Sequence, residues 1–279
     1  MARIAGVVVV YNPDPGLQQR IDSYLPRIER LFIYDNSDKP YGPPPGSDKI
    51  IYIQNNGNKG IAAGLNEAAR MAIAEKFDWL LTMDQDSYFS EDNLTNYLDC
   101  FSRFVNKNDV AAFGVGFENE AAGSTTCETE ETTHLITSGT LINLALYNLI
   151  GPFEEGLFID HVDYDYLFRA NMKGYKTVRF KNVFLYHQLG VQSEHRSFLT
   201  FRKTKRSLHA PVRMYYMTRN YLFMRSKYRR HFPKEIRHLR KDLLYRLKNN
   251  LLYSPKRFGV IRYFLSGIRD YYRNKMGKY

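Results

Sequence analysis

Short apolar runs alternate with helical patterns through the first 195 residues of this chain, and that alternation restricts the fold more than any other feature. The runs are Ile4 to Val10, Leu31 to Tyr34, Ile50 to Gln54, Trp79 to Met83 and Val110 to Val115. Between them, Leu17 to Leu25, Gly60 to Glu75 and Glu91 to Val105 have helical spacing. Helices inserted between buried strands bring the chain back for parallel pairing, so the expected class is α/β, a mostly parallel sheet flanked by helices. Further on, Asp163 to Lys173 reads as a helix stopped by Gly174, and Thr177 to Phe180 and Val183 to His187 read as strands. Tyr41 to Gly46 and Glu118 to His134 read as loops.

In such sheets ligands bind beyond the carboxyl ends of the strands. The polar residues collect there: Tyr11-Asn12 after the first strand, Asp35-Asn36-Ser37 after the second, Asp84-Gln85-Asp86 after the fourth. An Asp-x-Asp pair at a strand end aims hard oxygen ligands at one point. Mg²⁺ or Mn²⁺ accepts them and keeps positions open for phosphate oxygens, which suggests handling of a nucleotide diphosphate. An isolated Asp-x-Asp is as often plain loop punctuation, so its neighbours decide the reading.

Those neighbours supply partners. Asp35 can accept a hydrogen bond from a pyrimidine or ribose, or simply close an Asp-Asn-Ser turn. Asn55 to Asn66 is a Gly-rich strand-to-helix junction suited to an anion, with Lys59, Gly60 and Asn66 as its candidate contacts. Asp160, Asp163 and Asp165 lie within six positions at a loop-to-helix boundary, more carboxylates than one helix cap needs, and one can serve as a general base. His187 ends a strand, where an imidazole can complete a metal sphere otherwise made of carboxylate and phosphate.

The net charge of +11 hides a division. Residues 196–279 carry 24 Lys+Arg against 3 Asp+Glu, whereas the first 195 carry 16 against 26. We therefore expect a domain at 1–195 and a basic helical region at 196–279, the latter serving nucleic acid, an anionic membrane or an acidic substrate. Two cysteines, Cys100 and Cys127, are too few for a disulfide framework, which makes a reducing, cytosolic setting the default. Neither a signal pattern nor an apolar run of about 20 residues is present, so no membrane crossing is expected.

Taken in order, these pieces resemble the family 2 glycosyltransferases of the GT-A fold, in particular their bacterial rhamnosyltransferase branch. The matching residues are Val8 to Asn12, Asp35-Asn36-Ser37, Asn58-Lys59-Gly60 through Asn66, Asp84-Gln85-Asp86-Ser87, Ser138-Gly139-Thr140, Phe158 to Asp163, His187 and Tyr215 to Asn220. The resemblance implies inverting, metal-dependent transfer of a sugar from a dTDP- or UDP-linked donor, with dTDP-L-rhamnose suggested by the wording of the motifs. It implies Tyr11, Asn12, Asp35, Asn36, Lys59, Gly60, Asn66, Asp84 and Gln85 as donor contacts and Asp86, Asp84 and His187 as metal contacts. Arg219 would face the leaving diphosphate, and Asp163 would be the catalytic base. Many relatives have Glu where Val162 stands, which leaves Asp160 and Asp165 open as the base. The only Trp is Trp79, so the glutamine-and-tryptophan motif of processive relatives is absent and one sugar per encounter is expected.

A nucleotidyltransferase would need a basic Gly-rich loop directly after the first strand, and Tyr11 to Gly16 offers none. A nucleic-acid-binding protein would explain the basic region but not the acidic front half. Within the basic region, Ile236, Leu239, Leu243 and Leu247 form a helical stripe among Arg237, Arg240, Lys241, Arg246 and Lys248, and Ile261, Phe264, Leu265 and Ile268 form another. These stripes are expected to meet an anionic membrane, holding the enzyme near a lipid-linked or oligosaccharide acceptor, or else to pack internally or on a second subunit.

Overall fold

The computed structural model of the chain describes residues 2–43, 47–55, 57–117, 127–187, 193–196, 203–206 and 208–279. It divides into two compact units, Met1–Glu155 with Val162–Gln188, and Gly156–His161 with Leu189–Tyr279. The segment Gly156–His161 thus belongs to the second unit although its neighbours in sequence belong to the first.

In the first unit, β1 (Ile4–Val10), β2 (Arg30–Asp35), β3 (Ile50–Gln54) and β4 (Trp79–Asp84) pair in parallel in the order β3-β2-β1-β4. Val7, Val8 and Val10 of β1 are fully buried because the strand has neighbours on both edges and helices over its faces. Beyond β4 the pairing changes. β8 (Thr140–Asn143) inserts antiparallel between β4 and β6 (Val110–Phe117), and β6 pairs in parallel with β9 (Lys176–His187). The antiparallel strands β7 (Thr129–Glu131) and β5 (Ser87–Tyr88) both join β9. The α/β class stands, with a mixed sheet; the short β5, β7 and β8 carry too few residues to show a period. The two strands expected at 177–180 and 183–187 are one strand, β9, whose register with β6 shifts between Val115 and Gly116.

Helices α1 (Leu17–Asp22), α2 (Ile61–Ala74), α3 (Glu91–Arg103), α4 (Leu144–Ile150) and α5 (Val162–Met172) belong to this unit. A Cβ on Gly64 would come within 2.7 Å of Tyr34 Cδ1 and Val9 Cγ2, so glycine there lets α2 press onto β1 and β2. Ser90 caps α3 by accepting from the Asn93 N–H, and Glu91 and Asp92 suit its positive end. Trp79, Phe101, Phe104, Phe113 and Phe180 form an aromatic core with ring separations of 4.9–6.5 Å.

Cys100 of α3 and Cys127 form a disulfide, contrary to the free thiols expected from their number. The return of β7 onto β9 brings Cys127 beside the buried α3, and no count of cysteines could show that. Closing a loop of 27 residues is worth about 3 kcal/mol. Cys127→Ser, or reduction, should therefore lower Tm by roughly 5–15 °C. Chain unfolded without reductant should show no thiol reactive with dithionitrobenzoate; reactive thiols there would remove the bond from the native protein.

The second unit contains α6 (Pro211–Tyr228), α7 (Pro233–Tyr253) and α8 (Arg257–Tyr272), with an antiparallel pair, β10 (Ser193–Arg196) and β11 (Lys203–Arg206). Pro211 and Pro233 open their helices, where a missing N–H costs nothing. Ile236, Leu239 and Leu243 are buried, so the first apolar stripe packs inside the unit and does not face a membrane. Phe158, Asp160 and His161 all have φ near +65°, a backbone state costing on the order of 1 kcal/mol or more for each non-glycine residue. Asn220 Nδ2 donates to the carbonyls of Leu157, Ile159 and Asp160, and Phe158 stacks on Tyr216, which together hold this strap in place.

Candidate active site

The register sets Val10 opposite Asp35 and Val9 opposite Asp84, so both carboxylates end strands that flank β1. Asp35 is buried. Its Oδ1 accepts from Ser37 N–H, and its Oδ2 accepts from Tyr41 N–H and the Tyr52 hydroxyl. Burial alone would raise its pKa; the hydrogen bonds from Ser37, Tyr52 and Tyr41 outweigh that and hold it below the usual carboxylate range. The Tyr52 hydroxyl is pushed up to about 12 by burial and by that same carboxylate. Asp35 is thus held from within by Ser37, Tyr41 and Tyr52.

Asn36 Nδ2 donates to the Gly60 carbonyl, while its Oδ1 accepts from Asn55 Nδ2 and Lys59 N–H. It thereby pins the junction ahead of α2, with the Lys59 side chain exposed. Gln85 clasps the end of β1, accepting from Tyr11 N–H at 2.7 Å and donating to the Tyr11 carbonyl at 3.3 Å. The Gln85 carbonyl accepts from Arg20 Nε at 2.6 Å, and Arg20 pairs with Asp14 at 3.0 Å. Asn12, at φ 46°, donates its N–H to Ser37 Oγ. Asp84 N–H donates to Ser138 Oγ at 3.0 Å, and the adjacent Gly139 takes φ +74°, a turn that a side chain would strain. The Asp84-Gln85-Asp86 loop is therefore braced from three directions.

The antiparallel pairing of β5 with β9 sets Ser87 opposite His187. It brings His187 Nδ1 to 3.3 Å from Asp86 Oδ1 and 3.0 Å from Ser87 Oγ, with Asp86 and His187 both partly exposed. Among the described residues no group of three or more His, Cys, Asp or Glu side chains is placed to hold a metal. A carboxylate beside an imidazole supplies two ligands, a donor set suited to Mg²⁺ or Mn²⁺ with positions left for phosphate and water. Asp163 opens α5, its Oδ1 accepting from Tyr164 N–H, and lines a cavity with Thr82 of β4, Thr137, Thr140, Leu135 and Phe153. The carboxylate thus shares a cavity wall with the strand that ends in Asp84.

Four expected site residues are placed otherwise. Asn66 is buried with its amide fully used, donating to the Phe153 carbonyl and Glu155 and accepting from Tyr147 and Phe153. Asp165 is fully buried and paired at 2.8 Å with Arg169, which also donates to the carbonyls of Ile150, Gly151 and Pro152. Asp160, in the second unit, pairs at 2.9 Å with Arg213. Its burial favours the neutral acid, but Arg213 prevails and keeps the carboxyl ionised below the usual range, a poor state for a proton acceptor. Arg219 is also in the second unit and 0% exposed. Its guanidinium donates to the carbonyls of Gly156, Leu157 and Gly277, to Asn220 Oδ1 and to the Tyr215 hydroxyl. It is a structural arginine, not one available to a diphosphate. Conversely, Tyr52 and Arg20 shape the site without having stood out in the sequence, because each resembles ordinary strand or helix content until its partner is known.

Residues 7–123 match the family model described as Glycosyl transferase family 2. A curated relative, the dTDP-rhamnosyl transferase RfbF of Shigella flexneri, is 24% identical over 252 residues, 81% of each chain. Among solved structures, S. aureus TarS 1-349 in complex with UDP-GlcNAc aligns at TM-score 0.52 and 13% identity, covering 98% of this chain and 81% of that one. GalNAc-T7 with UDP, GalNAc and Mn²⁺ aligns at TM-score 0.53 and 11% identity, covering 67% of this chain and 44% of that one, so the chain spans under half of that protein. The shared fold is of the GT-A type, and the protein is a glycosyltransferase. Within that class its likeness is to family 2, whose model matches residues 7–123.

Proposed function

We propose that this enzyme moves a single sugar, L-rhamnose from dTDP-L-rhamnose being the donor favoured by the likeness to RfbF, onto a glycan acceptor of a bacterial cell-surface polysaccharide, with inversion. The observation that carries the reading is the Asp86–His187 pair beside the end of β4. Asp86 and His187, with Asp84 nearby in sequence, would hold a divalent cation, which when bound supplies charge to stabilise the departing diphosphate. Asp35 accepts from the base or ribose of the donor, Asn36 fixes the junction ahead of α2, and Gln85 with Arg20 holds the Asp84–Asp86 loop in one geometry. The Asp163 carboxylate takes the proton of an acceptor hydroxyl as its oxygen bonds the anomeric carbon and the bond to the diphosphate breaks. We assign donor chemistry to the first unit. The strongly basic second region places the enzyme peripherally at the cytoplasmic face of the membrane, beside a lipid-linked or oligosaccharide acceptor.

The test is a thermal-shift titration of the full chain. With dTDP and Mn²⁺ at about a hundred times Kd, the gain is about 2.7 kcal/mol, or roughly 5–10 °C in Tm. Asp86→Ala should keep the ligand-free Tm and lose most of that gain, and duplex DNA should give none. Equal stabilisation by dTDP or UDP in excess chelator would sink the metal assignment; no response to any nucleotide would sink the donor assignment.

A further inference from the structure

The second unit leaves apolar side chains in solvent in an ordered array. On α8, Phe258 is 88% exposed, Ile261 43%, Leu265 56% and Tyr272 75%. At 100° per residue these four lie within one narrow stripe of the helix. The opposite side of α8 buries Val260, Ser266, Gly267 and Asp270, and a Cβ on Gly267 would come within 2.6 Å of the Tyr215 carbonyl, so α8 is seated closely on α6 by that other side. The exposed stripe is therefore not the helix's packing face.

Charge borders the stripe. Arg262, Arg269 and Arg273 are exposed along one margin and Arg257 along the other, while the only acidic residue of the helix, Asp270, is buried and paired with Arg269. An apolar strip edged by arginines, with no exposed carboxylate on the helix, is complementary to an anionic lipid surface. Acyl chains take the Phe258, Ile261 and Leu265 side chains, headgroup phosphates take the guanidinium groups, and Tyr272 sits at the boundary. A water-facing helix would have no use for the apolar strip, and a protein partner of ordinary composition would not favour arginine at both margins.

We infer that α8 is an interfacial helix that lies flat on an anionic bilayer through Phe258, Ile261, Leu265 and Tyr272. Of the two stripes expected from the sequence, the Ile236–Leu243 stripe of α7 is buried, and that of α8 keeps Ile261 and Leu265 but runs through Phe258 and Tyr272 instead of the half-buried Phe264 and Ile268. It requires nothing of the nucleotide site, so its failure and that of the proposed transfer are separable.

The experiment is cosedimentation of the full chain with vesicles of phosphatidylcholine, with and without phosphatidylglycerol. Wild type should bind the anionic vesicles, more weakly as salt rises, and leave the neutral ones largely alone. Phe258→Ser with Leu265→Ser should weaken partitioning roughly tenfold or more, and Arg262→Glu with Arg273→Glu should do likewise while steepening no salt dependence. Both pairs should hydrolyse a dTDP-sugar donor at the wild-type rate, since exposed positions contribute little to the fold. Wild-type partitioning by the Phe258/Leu265 variant overturns the inference, as does absence of vesicle binding at low salt. So does a concentration-dependent dimer that Phe258→Ser dissociates, because that result assigns the stripe to a second copy of the chain.

Discussion

Asp163→Asn is expected to lower turnover by roughly 10² to 10⁴, with donor affinity nearly unchanged. The amide keeps the size of the carboxylate and can still accept from the Tyr164 N–H, as Asp163 does at 2.8 Å. It cannot take a proton from the acceptor. Because the group lines a cavity with Thr82 and Thr140, an isosteric change leaves that wall intact. Single-turnover kinetics with saturating donor isolate the chemical step, and a loss confined to kcat identifies an interaction made in the transition state. Near-normal turnover would remove Asp163 from the base role. Asp165→Asn serves as the contrast: its carboxylate is sealed against Arg169, so its loss should appear in Tm rather than in chemistry.

Arg219→Ala should cost about 3–5 kcal/mol, roughly 10 °C or more in Tm, the largest stability loss expected from one substitution here. The guanidinium is buried and shared among three carbonyls, an amide and a hydroxyl. Its removal strands those acceptors and frees the 156–161 strap to leave its left-handed backbone. Arg219→Lys should recover little, since an ammonium cannot reach acceptors spread over a planar fork. Denaturant unfolding checks the first claim, and limited proteolysis near residue 158 checks the second. If Arg219→Lys unfolds like wild type but loses dTDP affinity, the arginine faces the diphosphate after all.

Much of the fold was legible because buried parallel strands leave continuous apolar runs: β1 and β3 have the limits that their residues suggest. The strand-end position of Asp35, Asp84 and Asp86 was readable for the same reason. What could not be read was pairing between distant segments. Nothing in Ser87-Tyr88 announces that it will lie against His187, and only that pairing brings the imidazole to Asp86. Arg219 and Asn66 misled because a charged or amide side chain in a family motif looks chemical. Each is spent on backbone carbonyls that no local pattern identifies. The basic region misled in another way, since helical periodicity shows that a stripe exists but not which stripe the neighbouring helix covers.

The strap at 156–161 has a bearing on biosynthesis. Its neighbours in sequence, up to Glu155 and from Val162, fold with the sheet, whereas the strap itself is gripped by Arg219, Asn220 and Gly277, whose N–H donates to the Gly156 carbonyl at 2.7 Å. On the ribosome the sheet can therefore begin to form while the strap waits 63 residues for Arg219 and Asn220, and longer for Gly277. Three left-handed residues are costly in a free loop, so the strap settles only after α6 has been made. Nascent chains arrested before α6 should carry a formed sheet and a protease-sensitive strap, and chains extended through α6 should begin to protect it, so that the sheet precedes the strap in the order of folding.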